Sequence, residues 1–302
     1  MKEFIKRIYY SSNFGRLSIL PFLWLRNTFI SEETLVKWRF KRMMGYPLNL
    51  NNPITINEKI QWLKLNDRSK LHEQCADKYL VREYIEQKIG KEYLIPLITH
   101  AEDVNNIDIS TLPNFPIIMK TNHSSGGVSI IKNKNEIIWK DILSKFSLSL
   151  KYKYDKAKGE WQYANIKPRI VVEKLLMDDD GNIPPDYKLH CFNGKVKLVT
   201  MDLNRHSHHK RNFYDENWKF LNFKWGKENG ALEKKPLNFD LMISIAEKLA
   251  ENFLYVRVDL YNLNGKIYFG ELTFHPASGN EKFEPEHWDK IIGSWLTLKV
   301  ND

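Results

Sequence analysis

At 302 residues, with 42% apolar content and 16 Phe, 14 Tyr and 9 Trp, the chain has material for one large core or for subdomains sharing a cleft, which excludes a disordered or linker protein. A formal charge of +9 favours anionic partners such as nucleotides, acidic glycans or phospholipid headgroups; without a zinc knuckle, an RNP-like aromatic motif or a long Lys/Arg tract, no nucleic-acid partner is expected. Cys75 and Cys191 stand far apart and in no CxxC arrangement, which argues against a disulfide framework or a thiolate metal site and fits a reducing cytoplasm.

The first thirty residues carry Lys2, Lys6, Arg7, Arg16 and Arg26 among aromatic and aliphatic residues. Their apolar run, Leu17 to Leu25, is too short for a bilayer, and no small-residue cleavage site follows, so neither a membrane span nor a signal peptide is expected. The segment reads as a basic amphipathic element on the inner membrane surface or, the reading we favour, as a terminal helix docked on the protein's own core.

Helical text follows. Ser31 with Glu32 and Glu33 opens one helix with apolar positions at Val36, Phe40, Met43 and Met44, and Asn49 to Pro53 breaks it. A second opens near Thr55 to Asn57 and runs through Leu65, and a third is expected from Ala76 to Ile89, ended by Gly90. Beyond Tyr93 come β-rich runs at Leu94–Ile98, Pro116–Thr121, Val128–Lys132, Ile170–Leu176, Tyr187–Phe192 and Lys195–Met201. Helices fall near Glu136–Leu150 and Asp240–Asn252, and the last strands, Val256–Tyr261 and Ile267–Phe274, join across Asn264-Gly265. The fold class is α+β with mostly antiparallel strands.

The strongest local signal runs from Phe115 to Val128, where an apolar strand ends in Lys120 and leads into the small flexible loop Ser124, Ser125, Gly126 and Gly127. Backbone N–H groups freed by the glycines can approach phosphate oxygens while the lysine adds a point charge. GxxxxGK[ST] is missing and a strand follows, so neither P-loop nor Rossmann logic applies; an ordinary hairpin turn is the alternative. Asp77-Lys78 precedes this loop, and the apolar strand Ile170-Val-Val-Glu173-Lys174-Leu175-Leu176 follows it.

In this order the segments resemble the ATP-grasp superfamily. The resemblance implies that Lys78 and Lys120 reach the phosphates of ATP, that Ser124 to Gly127 cover them, and that Glu173, Lys174, Leu175 and Leu176 form the hinge around adenine. It divides the chain into a helical region over residues 1–72 and an ATP-grasp domain over 73–302, with a lid subdomain at about 111–175 and a metal-binding core at about 176–302.

Along the C-terminal hairpin, Arg257 shares a face with Asp259, as do Phe269, Glu271 and Thr273. A two-residue Asn264-Gly265 turn sets Asp259 opposite Gly270 and sends Glu271 to the wrong side. A three-residue loop, Leu263 to Gly265, instead makes the carboxylates diagonal neighbours roughly 7–8 Å apart at the backbone, so we expect the longer loop. Magnesium prefers such hard oxygen ligands with bridging phosphates; the alternative is a surface hairpin in which Arg257 pairs with both acids.

The family holds Mg2+ with an acid on one strand and an acid-x-Asn on the next, and here Thr273 stands at the Asn position. With Thr55-Ile-Asn-Glu-Lys-Ile-Gln-Trp-Leu-Lys64, the segment from Ala76 to Tyr84, Asp186-Tyr-Lys188-Leu-His-Cys-Phe-Asn-Gly194 and Gly270-Glu-Leu-Thr-Phe274, the chain is similar to the TupA-like branch over about residues 35–290. That branch is associated with bacterial surface polysaccharides, teichuronopeptide included. The likeness implies an amide ligase: a carboxylate attacks the terminal phosphate of ATP and an amine captures the acylphosphate, joining an amino acid or amine to a uronic acid.

On that account Asp259, Glu271 and Thr273 hold magnesium, Asp186 sits near the ribose, Lys188 near the phosphates, and Arg257 stabilises the transferring group. Arg205, His123 and His275 are candidate substrate contacts. The tract Asp202 to Arg211 is basic enough to hold an acidic sugar, and its histidines read more simply as a solvated loop than as a metal site. Asp178-Asp-Asp180 before Gly181 reads as a turn, although it fits the DxD of glycosyltransferases. A glycan or metabolite kinase and a glycosyltransferase or non-catalytic assembly component remain alternatives.

Overall fold

The computed structural model describes residues 30–124, 127–151, 159–203 and 208–299. They fall into two compact units, one ending at Leu48 and one starting at Asn49. In the first, α1 (Glu32–Met44) is capped by Ser31, whose hydroxyl accepts from the Thr34 N–H, and is ended by Gly45 in the left-handed conformation. Val36, Phe40 and Met44 are its buried residues; Met43, expected among them, is half exposed.

The second unit opens with α2 (Ile56–Asn66), started by a complete capping box between Thr55 and Glu58. The helix expected from Ala76 to Ile89 begins only at Val81, as α4 (Val81–Lys88), and a separate helix that was not expected, α3 (Lys70–Ala76), ends where it was to start. Between them the Asp77 carboxylate accepts from the N–H groups of Tyr79 and Leu80, which replaces helical bonding and throws Lys78 out on a turn. No described helix is long and apolar enough to cross a membrane.

Two sheets carry the β-structure, and every strand pair in them is antiparallel. The first has the order β1 (Leu97–Ala101), β4 (Ile170–Lys174), β2 (Ile117–Thr121), β3 (Val128–Ile131). Ile117, Met119, Ile170 and Val172 form its core with Phe146 of α5 (Trp139–Leu150). The second has the order β10 (Lys266–Thr273), β9 (Tyr255–Leu263), β5 (Asp186–Phe192), β6 (Lys195–Leu203), β7 (Lys210–Tyr214). A two-stranded pair, β8 (Lys224–Trp225) and β11 (Phe283–Glu284), lies outside both.

The pleat sorts the second sheet into two faces. Leu189, Val199, Val256, Val258 and Leu260 pack with Met242, Ile245 and Leu249 of α6 (Phe239–Ala250). The register puts Asp259 beside Lys188 and Arg257 beside His190, then Lys188 beside Thr200 and Asp202 beside Arg211, so the other face is a polar row across four strands. Ile56, Ile60 and Leu63 of α2 join a third cluster with Phe223, Trp225, Phe283 and Ile292, the last on α7 (His287–Ser294). There α7 comes so close to the backbone leading into α2 that a Cβ on Gly293 would lie 2.2 Å from the Ile54 carbonyl oxygen and 2.8 Å from the Ile56 nitrogen.

The hairpin corrects the expected loop. Leu263 pairs with Lys266, so the turn is the two-residue Asn264-Gly265, both with positive φ. The register then slips between Phe269 and Glu271, where Gly270 is the extra residue of a β-bulge. Phe269 faces Leu260 on the apolar side, and Glu271 faces Asp259 on the polar side. The carboxylates are direct cross-strand partners and not diagonal ones. The bulge, not the turn, puts them on one face.

Candidate functional site

Lys78 stands where the two sheets' chemistry meets. Its N–H donates to the Asn122 carbonyl at 3.2 Å, and its ammonium donates to the Ser124 carbonyl. Asn122 ties this turn down: its Nδ2 donates to Asp77 Oδ2 at 2.9 Å and to the Lys167 carbonyl at 3.0 Å, and its Oδ1 accepts from the Arg169 N–H at 2.7 Å. Ser124 is buried, with its hydroxyl 2.6 Å from that of Thr121. Gly127 has φ of +69°, and a Cβ there would meet Thr121 Oγ1 at 3.0 Å, so this end of the loop requires glycine.

On the first sheet Lys120 Nζ lies 2.6 Å from Glu173 Oε2, and Arg82 Nη1 donates to Glu173 Oε1 at 3.0 Å. Lys174 and Leu175 have their N–H groups bonded to the carbonyls of Pro96 and Pro116, each at 3.0 Å. Those two backbone donors are thus committed to the fold. Leu175 and Leu176 are buried, and the exposed Lys174 lies over the Phe115 ring at 5.8 Å.

On the second sheet Arg257 sits among the acids. Its Nε and Nη2 donate to the two Asp259 oxygens at 2.6 and 2.7 Å, and Nη2 also reaches Glu271 Oε1 at 3.2 Å and Thr273 Oγ1 at 3.0 Å. Thr273 donates its hydroxyl proton to Glu271 Oε1 at 3.0 Å. Lys188 is buried between Asp186, which it contacts closely, and Asp202, whose Oδ2 is 3.2 Å away. Arg211 Nε donates to the other Asp202 oxygen at 2.6 Å, and His209 Nε2 lies 3.1 Å from it.

The two facing carboxylates titrate apart. Burial pushes Asp259 up to about 6, against the pull of Arg257 and Lys188. Burial also acts on Glu271, but Lys78, Arg257, the Thr273 hydroxyl and Lys188 together outweigh it and hold this acid at about 2. Its side chain remains 39% exposed, in keeping with that outcome. Lys78 is lowered from the ordinary lysine value by burial, with Glu271 pulling it back up and Lys120 pressing it down. One lysine therefore feels Lys120 and Glu173 of the first sheet and Glu271 of the second, and the two sets of residues share one electrostatic neighbourhood.

Asp259, Glu271 and Thr273 offer hard oxygen donors on one surface, the chemistry that suits magnesium. No group of three or more His, Cys, Asp and Glu that could hold a metal occurs among the described residues. The three donors fit a cation that takes its remaining ligands from phosphate oxygens and water.

His123 is buried beside Asn122, Nδ1 to Oδ1 3.3 Å. His275 is buried too, its basicity lowered first by burial and then by Lys64, His72 and Arg68, which places it with α2 and α3. Ser125, Gly126 and Arg205 lie outside the described residues. Asp178 to Gly181 form the expected turn, the Asp178 carboxylate accepting from the N–H groups of Asp180 and Asn182. Sequence reasoning missed Asn122, Arg82 and the Asp202–Arg211 pair. Asn122 stood two residues beyond Lys120 inside the motif, but Arg82 finds its partner 91 positions away and left no local signal.

A lysine-bearing, glycine-rich hairpin on one antiparallel sheet and facing carboxylates on a second, linked through the charge of Lys78, define the α+β architecture of the ATP-grasp class. Residues 58–297 match the profile of the family described as TupA-like ATPgrasp, and the chain belongs to that family. No curated protein matches it. Among solved structures it is similar to D-alanine–D-alanine ligase from Bacillus anthracis, at 20% identity over 81% of this chain and 84% of that one, TM-score 0.43. It is also similar to the D-alanine–D-alanine ligase from Helicobacter pylori (16%; 80% and 69%; TM-score 0.41) and to L-amino acid ligase from Bacillus licheniformis (14%; 83% and 57%; TM-score 0.45).

Proposed function

We propose that this protein is a Mg-ATP-dependent carboxylate–amine ligase that joins an amino acid or amine to a uronic acid of a bacterial surface polysaccharide, working in the cytoplasm or at the inner face of the membrane. The observation that carries the reading is the meeting of Lys78, Lys120, Arg257, Asp259 and Glu271 in one neighbourhood, together with membership of an ATP-grasp family.

Lys78 and Lys120 would bind the phosphates of ATP beneath the Ser124–Gly127 loop, with Glu173 to Leu176 around the adenine and Asp186 toward the ribose. Asp259, Glu271 and Thr273 would hold magnesium, which supplies charge to the phosphate oxygens and fixes their geometry. Arg257 lies within reach of both acids and keeps its charge, because burial works against the cation but Asp259 and Glu271 outweigh it. It is placed to stabilise charge on the transferring phosphoryl group, with Lys188 beside it.

A substrate carboxylate oxygen attacks the terminal phosphorus and ADP leaves. An amine then attacks the acyl carbon, and phosphate leaves carrying the proton that the nitrogen gives up. What the protein contributes is alignment and fixed charge. An amine arriving unprotonated needs no general base, and His190 is suited to staying neutral: burial, then Arg257, Arg211 and Lys188, drive its basicity well down.

The test is incubation with Mg-ATP, a glucuronate-containing glycan and a panel of amino acids. Release of ADP and phosphate only when both co-substrates are present supports the ligase; AMP and pyrophosphate contradict it. Phosphate retained on the glycan would identify a kinase.

A further inference from the structure

The polar face of the second sheet continues past Arg257 into a cavity of about 230 Å³ whose lining, apart from Arg257 and Lys188, carries no binding role above. Lys188, Arg211 and Arg257 line it, with the Trp225 indole on β8 and the Glu281 carboxylate. The three cations converge there, since all three act on the one ring of His190, another lining residue. Arg211 is pre-set, its Nε on Asp202 and its Nη1 donating to the Trp225 carbonyl at 2.9 Å.

Trp225 supplies an independent sign. It is 3% exposed, stacked on Phe283 with ring centroids 4.7 Å apart, and its Nε1–H is buried without an acceptor among the described residues. An indole N–H in the interior costs free energy unless something accepts from it. Here it belongs to a residue that lines a cavity ringed by cations. Pro276 and Ala277 also line it, the latter left-handed at φ 48°, and the next residue, Ser278, accepts from Lys64 at its carbonyl and hydroxyl, 2.6 Å each.

We propose that this cavity takes the acid substrate and not the amine, and that the acid is polyhydroxylated. Its carboxylate lies at the Arg257–Lys188 end, and its ring oxygens meet Arg211 and the Trp225 N–H, with Glu281 accepting from a hydroxyl. The three cations are paired at their backs, Lys188 with Asp186 and Asp202, Arg211 with Asp202, and Arg257 with Asp259 and Glu271; the indole N–H of Trp225 has no acceptor among the described residues and needs an oxygen, which an ammonium group cannot supply. This assignment rests on the ligase reading for the carboxylate's fate but on the cavity alone for its binding.

The experiment is calorimetric titration of the full chain with D-glucuronate, D-glucose and D-glucosamine, and separately with Mg-ATP. Glucuronate is expected to bind, with the neutral and cationic sugars weaker by about tenfold or more, the scale of one charged hydrogen bond. Trp225→Phe, which keeps the stack and deletes the N–H, and Arg211→Lys should each weaken glucuronate by about fivefold or more while Mg-ATP affinity shifts far less. Equal binding of the three sugars, or wild-type glucuronate affinity in Trp225→Phe and Arg211→Lys alike, overturns the proposal. Mg-ATP binding without glucuronate binding also sinks the cavity assignment and leaves the ligase reading standing. Glucuronate binding without Mg-ATP binding does the reverse.

Discussion

Asp259 gives the site a measurable pH signature. Its carboxyl is raised from 3.8 to about 6 in the folded protein, chiefly by burial. Between those values the unfolded chain has lost the proton that the folded chain keeps, so stability is highest at the acid end of the window and falls as pH rises through it. At ~1.4 kcal/mol per pH unit, the gap between 3.8 and about 6 is worth about 3 kcal/mol of stability that is gone above the upper value. Asp289 is also raised from 3.8 to about 6, mainly by burial, and contributes in the same window. The assay is therefore a comparison: urea unfolding from pH 4 to 7.5 in a chelating buffer, for wild type and Asp259→Asn. The variant should lose Asp259's share of the slope, up to about 3 kcal/mol across the window, and keep that of Asp289. Identical slopes would refute the placement of an ionised carboxylate in that interior.

Three further changes probe the frame of the site. Lys64→Met removes an ammonium that is fully buried and held by Ser278 and Gln61, and should cost about 1–3 kcal/mol by urea midpoint; a variant at least as stable as wild type would mean that desolvation outweighs those bonds. Gly127→Ala forces a left-handed alanine against Thr121 and should cost about 1–2 kcal/mol and weaken ATP, which a fluorescent-nucleotide titration would show. Gly270→Val presses a side chain onto the Asp259 carbonyl, 3.0 Å from the Cβ position, and onto the Tyr261 ring. It should cost about 1–3 kcal/mol and reduce the magnesium dependence of nucleotide binding; wild-type stability and magnesium dependence would argue against the bulge's role.

What the sequence made legible was local. Thr55 and Glu58, three residues apart, announce a helix start, and the β-rich run ending in Lys120 before the glycines becomes a strand and loop as expected. The place of the hairpin's turn was legible from Asn264-Gly265, but its length was not, since a three-residue loop was expected and the turn has two residues. The bulge was not legible, because Gly270 is surplus only once Phe269 is fixed to Leu260 and Leu272 to Val258 by the apolar core. For the same reason, sequence pattern opened a helix at Ala76 with Asp77 in its first turn: helical spacing runs on from there, but the side chain captures two backbone donors and Asn122 holds its other oxygen from 45 residues away. Arg211 lay in a tract that read as a solvated basic loop, because its pairing with Asp202 across β6 and β7 exists only in the sheet.

The most direct measurement is calorimetry of a non-hydrolysable ATP analogue on the full chain, with and without magnesium, for wild type, Lys120→Met and Glu271→Gln. Wild type should bind more tightly with magnesium, Lys120→Met should weaken binding under both conditions, and Glu271→Gln should abolish the magnesium enhancement while leaving metal-free binding nearly intact. Nucleotide binding that neither substitution changes would show that the lysine sheet and the acid sheet do not serve one triphosphate.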